Sequence, residues 1–413
     1  MKKFFNYLAL ALVLALGTAA CSNADVDAPV DESATGDRSV KLKVIIPGSS
    51  TYAGDEESYN AKKPAITDAI IFFVDTLGQT IKRKQIVPFA QITTLTSTGV
   101  TVDGIPASAN AYYILGNVTD DAESTASNGA LTNEAGGVSI VDDVAEGDAL
   151  SVLKTIMVKI ENQVGPTAKI VLLGKGEYVP QGSGIGLLQA TLRPLVSRIE
   201  IAKVTADQTV AADDKVTSFD LTGIYINNTY KMIGIDPAQY PSLSTNAIAY
   251  AYNDAVWTSI YPADYHIALS ETSGTSYTPS GVWGFNVVPA QKKNPTGSNY
   301  IGNTILVDIE GSGVSRPHGA VPLIVLKLEN VQVNGASISP TTKYVTVSRY
   351  KDNTTTLPID FFKNGYIYAI GDIKFSAKHL VDSPTSPSPG AASDVYVVVD
   401  VKGWEELDTI AEI

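Results

Sequence analysis

Three histidines, His266, His318 and His379, and a single cysteine, Cys21, are the chain's whole stock of imidazole and thiol. Each histidine stands alone, and no HExxH or paired-histidine spacing occurs, so a metal-bound water has no ligand set to hold it. No GxSxG turn lifts a serine into a nucleophile's position. Gly182-Ser183-Gly184-Ile185-Gly186 is glycine-rich, but it lacks the lysine of a phosphate-cradling loop and reads as a turn. Asp142, Asp143, Glu146 and Asp148 carry calcium-type oxygens without EF-hand spacing, which makes a solvated acidic loop the plainer reading. Lys82-Arg83-Lys84 is too short for a nucleic-acid surface and is expected to face solvent. Tyr250, Tyr252, Trp257 and Tyr261 would stack on sugar rings if exposed, but alternate strand residues of this type more often pack a core. No catalytic residue, metal or cofactor is expected, and the chain is not read as an enzyme.

Cys21 has a different chemistry open to it. Lys2 and Lys3 precede an apolar run from Tyr7 to Leu16, and Gly17, Thr18, Ala19 and Ala20 follow. That is the layout of an export signal, too short and too small at its end to span a membrane as a helix. A lone cysteine after Ala19-Ala20 cannot form an internal disulfide and sits where a bacterial lipoprotein is cleaved and acylated. Leu16 lies two places further upstream than the usual lipobox leucine, and Thr18 fills that slot. Residues 1–20 are therefore expected to be a lipoprotein signal peptide, with the outer membrane as partner through lipid on Cys21. Residues 21–38, rich in Asp25, Asp27, Asp31, Glu32 and Asp37, read as an acidic tether.

These residues must be positioned by a chain of 413 residues with 30 basic and 43 acidic side chains and a net charge of −13. Such a balance argues against nucleic acid and anionic lipid surfaces as partners. Val, Ile, Thr and Tyr recur in short runs separated by Gly and Pro, which is an all-β pattern. Ala69–Val74 is apolar throughout and is expected to be covered on both faces. Further strands are expected at 111–118, 152–161, 191–204, 218–228, 281–289, 321–328, 343–349 and 366–377, with 120–147 as loop. The chain divides into an N-terminal β domain at 39–190, a C-terminal β domain at 191–381, and a Pro/Ser linker with a last strand at 382–413.

The two ends of the folded part share one pattern. Val40, Leu42, Val44 and Ile46 alternate with Lys41, Lys43 and Ile45, and near the other end Val395, Val397, Val399 and Val401 alternate with Tyr396, Val398 and Asp400. An extended backbone puts each set of four on one face. The linker DSPTSPSPGAA lengthens the connection enough for the last strand to leave its own domain. On periodicity alone, a closing strand of the chain's own sheet is the plainer reading than a strand given to another molecule.

Cys21 in its lipobox-like setting, a short alternating strand, a Gly/Ser/acidic loop at 48–63, two β domains, Asn364-Gly365-Tyr366-Ile367-Tyr368 and a final VYVVVDVKGW ending in Trp404 follow one another in order. In this the chain resembles the fimbrillin family, the major fimbrial subunits of Bacteroidales type V pili. The resemblance implies two transthyretin-like β-sandwich domains with a C-terminal donor-strand segment. It also implies that 39–63 is a removable first strand and loop, cut by a processing protease after acylation. The groove left by Val40, Leu42, Val44 and Ile46 would then be filled by Val395, Val397, Val399, Val401 and Trp404 of a neighbouring subunit. Partners would be copies of this chain or other pilus subunits, the location the outer membrane and then the fimbrium, and the role adhesion. The family's major subunits have an arginine at the cut, whereas Ser50-Thr51-Tyr52-Ala53-Gly54-Asp55 places Tyr52 before Ala53. A trypsin-like protease needs a cation for its acidic pocket. Lys62 offers another cut, Pro64 blocks the bond after Lys63, and an uncut chain would remain a lipid-held anchor. Anchor, tip subunit and surface carbohydrate-binding lipoprotein are the alternatives to a stalk subunit, and a secreted hydrolase is a more remote one.

Overall fold

The structure is a computed structural model. It describes residues 37–46, 65–133, 136–159, 163, 169–179, 185–227, 229–230, 232–235, 247–248, 266–287, 306–308, 315–317, 321–359, 362, 364–382 and 394–403. The leader, Cys21, Tyr52, Ala53, Ser183, the Tyr250–Tyr261 cluster, His318, most of the linker and Trp404 lie outside the described residues.

The chain is nearly all β. Its longer elements begin with β1 (Arg38–Ile45), β2 (Ala69–Asp75), β3 (Thr80–Val87), α1 (Phe89–Ser97), β4 (Val100–Ile105) and β5 (Ala111–Gly116). Next come α2 (Leu150–Lys154), β6 (Leu172–Glu177), β7 (Gly186–Thr191), β8 (Ser197–Ile201), β9 (Val216–Asn227), β10 (His266–Gly274) and β11 (Trp283–Val287). β12 (Leu323–Val333), β13 (Lys343–Asp352), β14 (Tyr366–Ile370) and β15 (Asp394–Gly403) complete them.

β7, β1 and β4 form a three-stranded sheet in that order, while β6, β5, β2 and β3 form a five-stranded sheet with Arg193–Pro194 beyond β6. Side chains alternate across a strand, so β2 serves two cores. Its Ala69, Ile71 and Phe73 meet Val40, Leu42, Val44 and Ile46 of the small sheet, and Ile70, Phe72 and Val74 join a second and larger cluster. The sequence expectation that β2 is covered on both faces therefore holds. Leu192 packs in the first cluster and Leu195 in the second.

The second cluster runs on into a nine-stranded sheet ordered β10, β9, β12, β13, β15, β14, β8, β11, with Ala336–Ser337 pairing outside that path on β12. A short ladder also ties distant parts of the chain, since Met232–Gly234 pairs antiparallel with Met157–Lys159.

The structure departs from the sequence reading at 152–161, expected as one strand. Leu150–Lys154 is helical and, among the described residues of that run, only Met157–Lys159 is strand. Leu150 and Leu153 are the buried helical residues, and their three-residue spacing puts both on one helix face. Lys84, expected to face solvent, instead turns its ammonium into the acidic loop. It donates to the carbonyls of Ile140 at 3.0 Å, Val141 at 2.5 Å and Val144 at 2.6 Å. Burial lowers the Lys84 pKa against the pull of Asp142, Asp148 and Glu146. Arg83 reaches Glu146 at 2.7 Å. Asp143 and Asp148 accept from the backbone amides of Ser139 and Ala145. The cluster that resembled calcium ligands is thus knitted to two cations and to its own loop.

Candidate functional site

β1 is held by pairing on both edges. It runs parallel to β7, with Val40 opposite Gly186 and Ile45 opposite Thr191, and antiparallel to β4, with Leu42 opposite Val100. Val40, Leu42, Val44 and Ile46 are buried, while Lys41 and Ile45 face out. Ile92 and Leu95 of α1 are buried in the same cluster. β4 is entered through Gly99, at φ +87°, where a Cβ would stand 2.9 Å from the Leu42 carbonyl oxygen. Only glycine fits both demands. The Ser39 hydroxyl donates to Asp103 Oδ1 at 2.5 Å, beside a register shift between Arg38 and Val40.

β15 is inserted in the same manner. It runs parallel to β13, with Val347 opposite Val395 and Tyr350 opposite Val397, and antiparallel to β14, with Ile370 opposite Val399 and Tyr368 opposite Val401. Val395, Val397 and Val399 are buried and Tyr396 and Val398 are exposed. In the intact chain the last strand therefore fills its own sheet, in line with the plainer reading of its periodicity. The Arg349 guanidinium lies 5.5 Å from the centre of the Tyr396 ring, and Asn353 donates through its side-chain amide to Asp400 at 2.9 Å.

Sequence reading did not find what joins the two neighbours of β15. Phe362 stacks on Tyr368 of β14, with centroids 3.6 Å apart, and meets Tyr350 of β13 edge-on at 5.0 Å. The three rings are buried. The Tyr350 hydroxyl donates to the Pro322 carbonyl at 2.7 Å, and complete burial pushes its pKa upward. Tyr368 falls in an expected strand and Tyr350 one residue beyond another, within β13 of the structure, but nothing in the spacing of Phe362 announces that it bridges them.

The two described histidines are far apart in role. The His266 ring stacks on Tyr225 with centroids 4.4 Å apart, and desolvation, helped by Lys327, lowers its pKa. His379 Nδ1 accepts from the Ser376 amide at 2.9 Å, closing a turn. Hydrogen bonds from Thr209 hold the Asp207 carboxyl below its ordinary pKa, and after them the pull of Lys374 and then of His379 adds to the effect. What the structure does bring together is two interior strands, each with one parallel and one antiparallel neighbour.

Neither a protein-family model nor a curated protein matches this chain. Solved structures do. A fimbrilin from Porphyromonas gingivalis W83 superposes with a TM-score of 0.51 at 13% identity, covering 89% of this chain and 97% of that one. A putative cell adhesion protein from Parabacteroides distasonis gives 0.47 at 11% identity over 90% and 98% of the two chains. The tip fimbrial protein Mfa3 from Porphyromonas gingivalis, with a C-terminal truncation, gives 0.38 at 8% identity over 89% and 100%. At these identities the likeness speaks for architecture, and the first superposition carries it across nearly both whole chains: this protein has the fold of a fimbrilin.

Proposed function

We propose that the chain is a structural subunit of a type V pilus, joined head to tail by exchange of its last strand and serving adhesion at the cell surface. One observation carries the reading. β1 is the sole ladder partner, among the described residues, of both β4 and β7. Its removal bares a row of amides and carbonyls on each, together with an apolar slot, and both are costly in water. Removing β15 bares comparable rows on β13 and β14, but β13 keeps β12 and β14 keeps β8, and Phe362 still joins the two edges. A tail that leaves its own sheet and enters the slot of a clipped neighbour thus leaves strands that keep a ladder for strands that, among the described residues, have none.

Four valines, Val395, Val397, Val399 and Val401, would contribute on the order of 6–12 kcal/mol on burial, before ordering costs. Leaving the home sheet offsets much of this, so the net drive rests on the difference between the two slots. Repetition of one head-to-tail contact that does not close on itself gives a filament. In this reading Cys21 is acylated for passage to the outer membrane, and a protease frees β1 by cutting between Tyr52 and Ala53 or after Lys62, within the removable segment 39–63.

A second reading has its own observation. Tyr52 stands where a trypsin-like protease would need a cation, and a chain that is never cut keeps β1 and serves as the lipid-held anchor. The discriminating experiment is N-terminal sequencing of the protein from purified surface fibres. A start at Ala53 or Lys63 supports the stalk reading, while an acylated Cys21 start supports the anchor. In parallel, the Tyr52→Arg variant treated with trypsin should polymerise, and the same variant lacking 394–413 should not. Polymers that form without the tail would overturn exchange.

A further inference from the structure

Two exposed apolar pairs bear on the register in which such a tail would seat. β7 turns Leu187 outward, 55% exposed, just after Ile185 at 63%, and β15 turns out Tyr396 at 43% and Val398 at 47%. In the intact chain Leu187 lies opposite Lys41 and Gln189 opposite Lys43. The strand beside this outward strip therefore presents cations to it, and the tail would present a ring and a branched aliphatic instead.

We propose, on the strength of the exchange reading, that a second copy's tail enters between β4 and β7, parallel to β7, with its Val395 in the place of Val40 and its Tyr396 against Leu187. Val397, Val399 and Val401 then take the places of Leu42, Val44 and Ile46. Because side chains alternate, a strand slips only in steps of two if its apolar face is to stay buried. A slip of two that brings Val397 to the Val40 position puts Gly403 where Ile46 is buried, emptying one core position. The opposite slip puts Ser393 at the Val40 position and the Asp394 carboxylate against Leu187. Only the assigned register fills all four apolar positions and covers Leu187 with an aromatic ring. Its cost is also visible: Asp394 takes the place of Ser39, which now donates to Asp103. Two carboxylates on a solvated edge repel weakly, whereas a vacated core position costs more.

The test uses full-length chains carrying Tyr52→Arg and Cys21→Ser, cut with trypsin and mixed in pairs under mild oxidation. One partner carries Leu187→Cys and the other Tyr396→Cys or Val398→Cys, all at exposed positions. Neighbouring strands bring Cα atoms within disulfide reach. The expected result is fibres by electron microscopy and an inter-subunit disulfide that forms at least about tenfold faster with Tyr396→Cys than with Val398→Cys, a register difference of two residues. Fibres in which Val398→Cys links faster, or in which neither links, overturn the register and leave exchange standing. No fibres and no link overturn exchange, and the register with it. Asp103→Asn removes one of the facing carboxylates and should slow fibre dissociation by roughly twofold to fivefold; an unchanged rate counts against the register.

Discussion

β1 and β15 occupy equivalent positions in unequal surroundings. Each is an interior strand with one parallel and one antiparallel neighbour, and each buries every second side chain. β1, however, is the middle of three strands, while β15 sits in a nine-stranded sheet. Without β1, both neighbours lose the only ladder they have among the described residues. Without β15, the large sheet parts into two pieces that remain paired internally and are pinned together by Tyr350, Phe362 and Tyr368. How much a strand matters to its sheet is set by what its neighbours have left when it goes, and only secondarily by its own apolar content.

The strongest way to break this comparison is to remove each strand in turn. Deleting 394–413 withdraws three buried valines and should cost the monomer about 5–9 kcal/mol at 1.5–3 kcal/mol each. Even so, amide hydrogen exchange should leave β13 and β14 partly protected. Clipping out β1 should leave the amides of β4 and β7 exchanging nearly freely. Equal loss of protection at the two places would mean that the slots are alike.

Phe362→Ala tests the aromatic pin. Replacing this buried ring should cost about 3–5 kcal/mol in urea denaturation, and the loss should grow when the tail is also deleted, because the two then support the same junction. Strict additivity would remove the pin from the account. Single truncations sharpen the comparison further. Leu42→Ala should cost about 2–5 kcal/mol and Val397→Ala about 2 kcal/mol, so the two slots differ less in packing than in the ladders their neighbours keep.

The smallest effect concerns pH. His266 on β10 belongs to the half of the large sheet that keeps its pairing when the tail leaves. Burial lowers its pKa below the ordinary 6.5, so the unfolded chain takes up the proton first as pH falls. Stability contributed there is present above about pH 6.5 and declines below it until the folded state also protonates. Urea midpoints measured between pH 8 and pH 5 should show that decline, and His266→Phe should flatten it.

Much of the scaffold was legible because burial on one face of a strand writes a period of two into the chain. Val40, Leu42 and Val44, the unbroken Ala69–Val74 run, and Val395, Val397 and Val399 all lie where that period puts them. β3 was missed because Lys82, Arg83 and Lys84 sit at its centre, and their cations are accounted for only by Asp75, Glu146 and the carbonyls of a distant loop. The 152–161 run was misread because a short apolar stretch carries too few residues to separate a period of two from one near four.

The amino-acid order by itself determined that both ends form one-sided apolar strands, since alternation depends only on local backbone geometry. It could not decide which groove each strand fills, because the same four-residue apolar face fits either. That choice belongs to the tertiary structure. It depends on which edges still lack hydrogen-bond partners and which rings, such as Phe362, reach across the gap, and both are set by residues far apart in the chain.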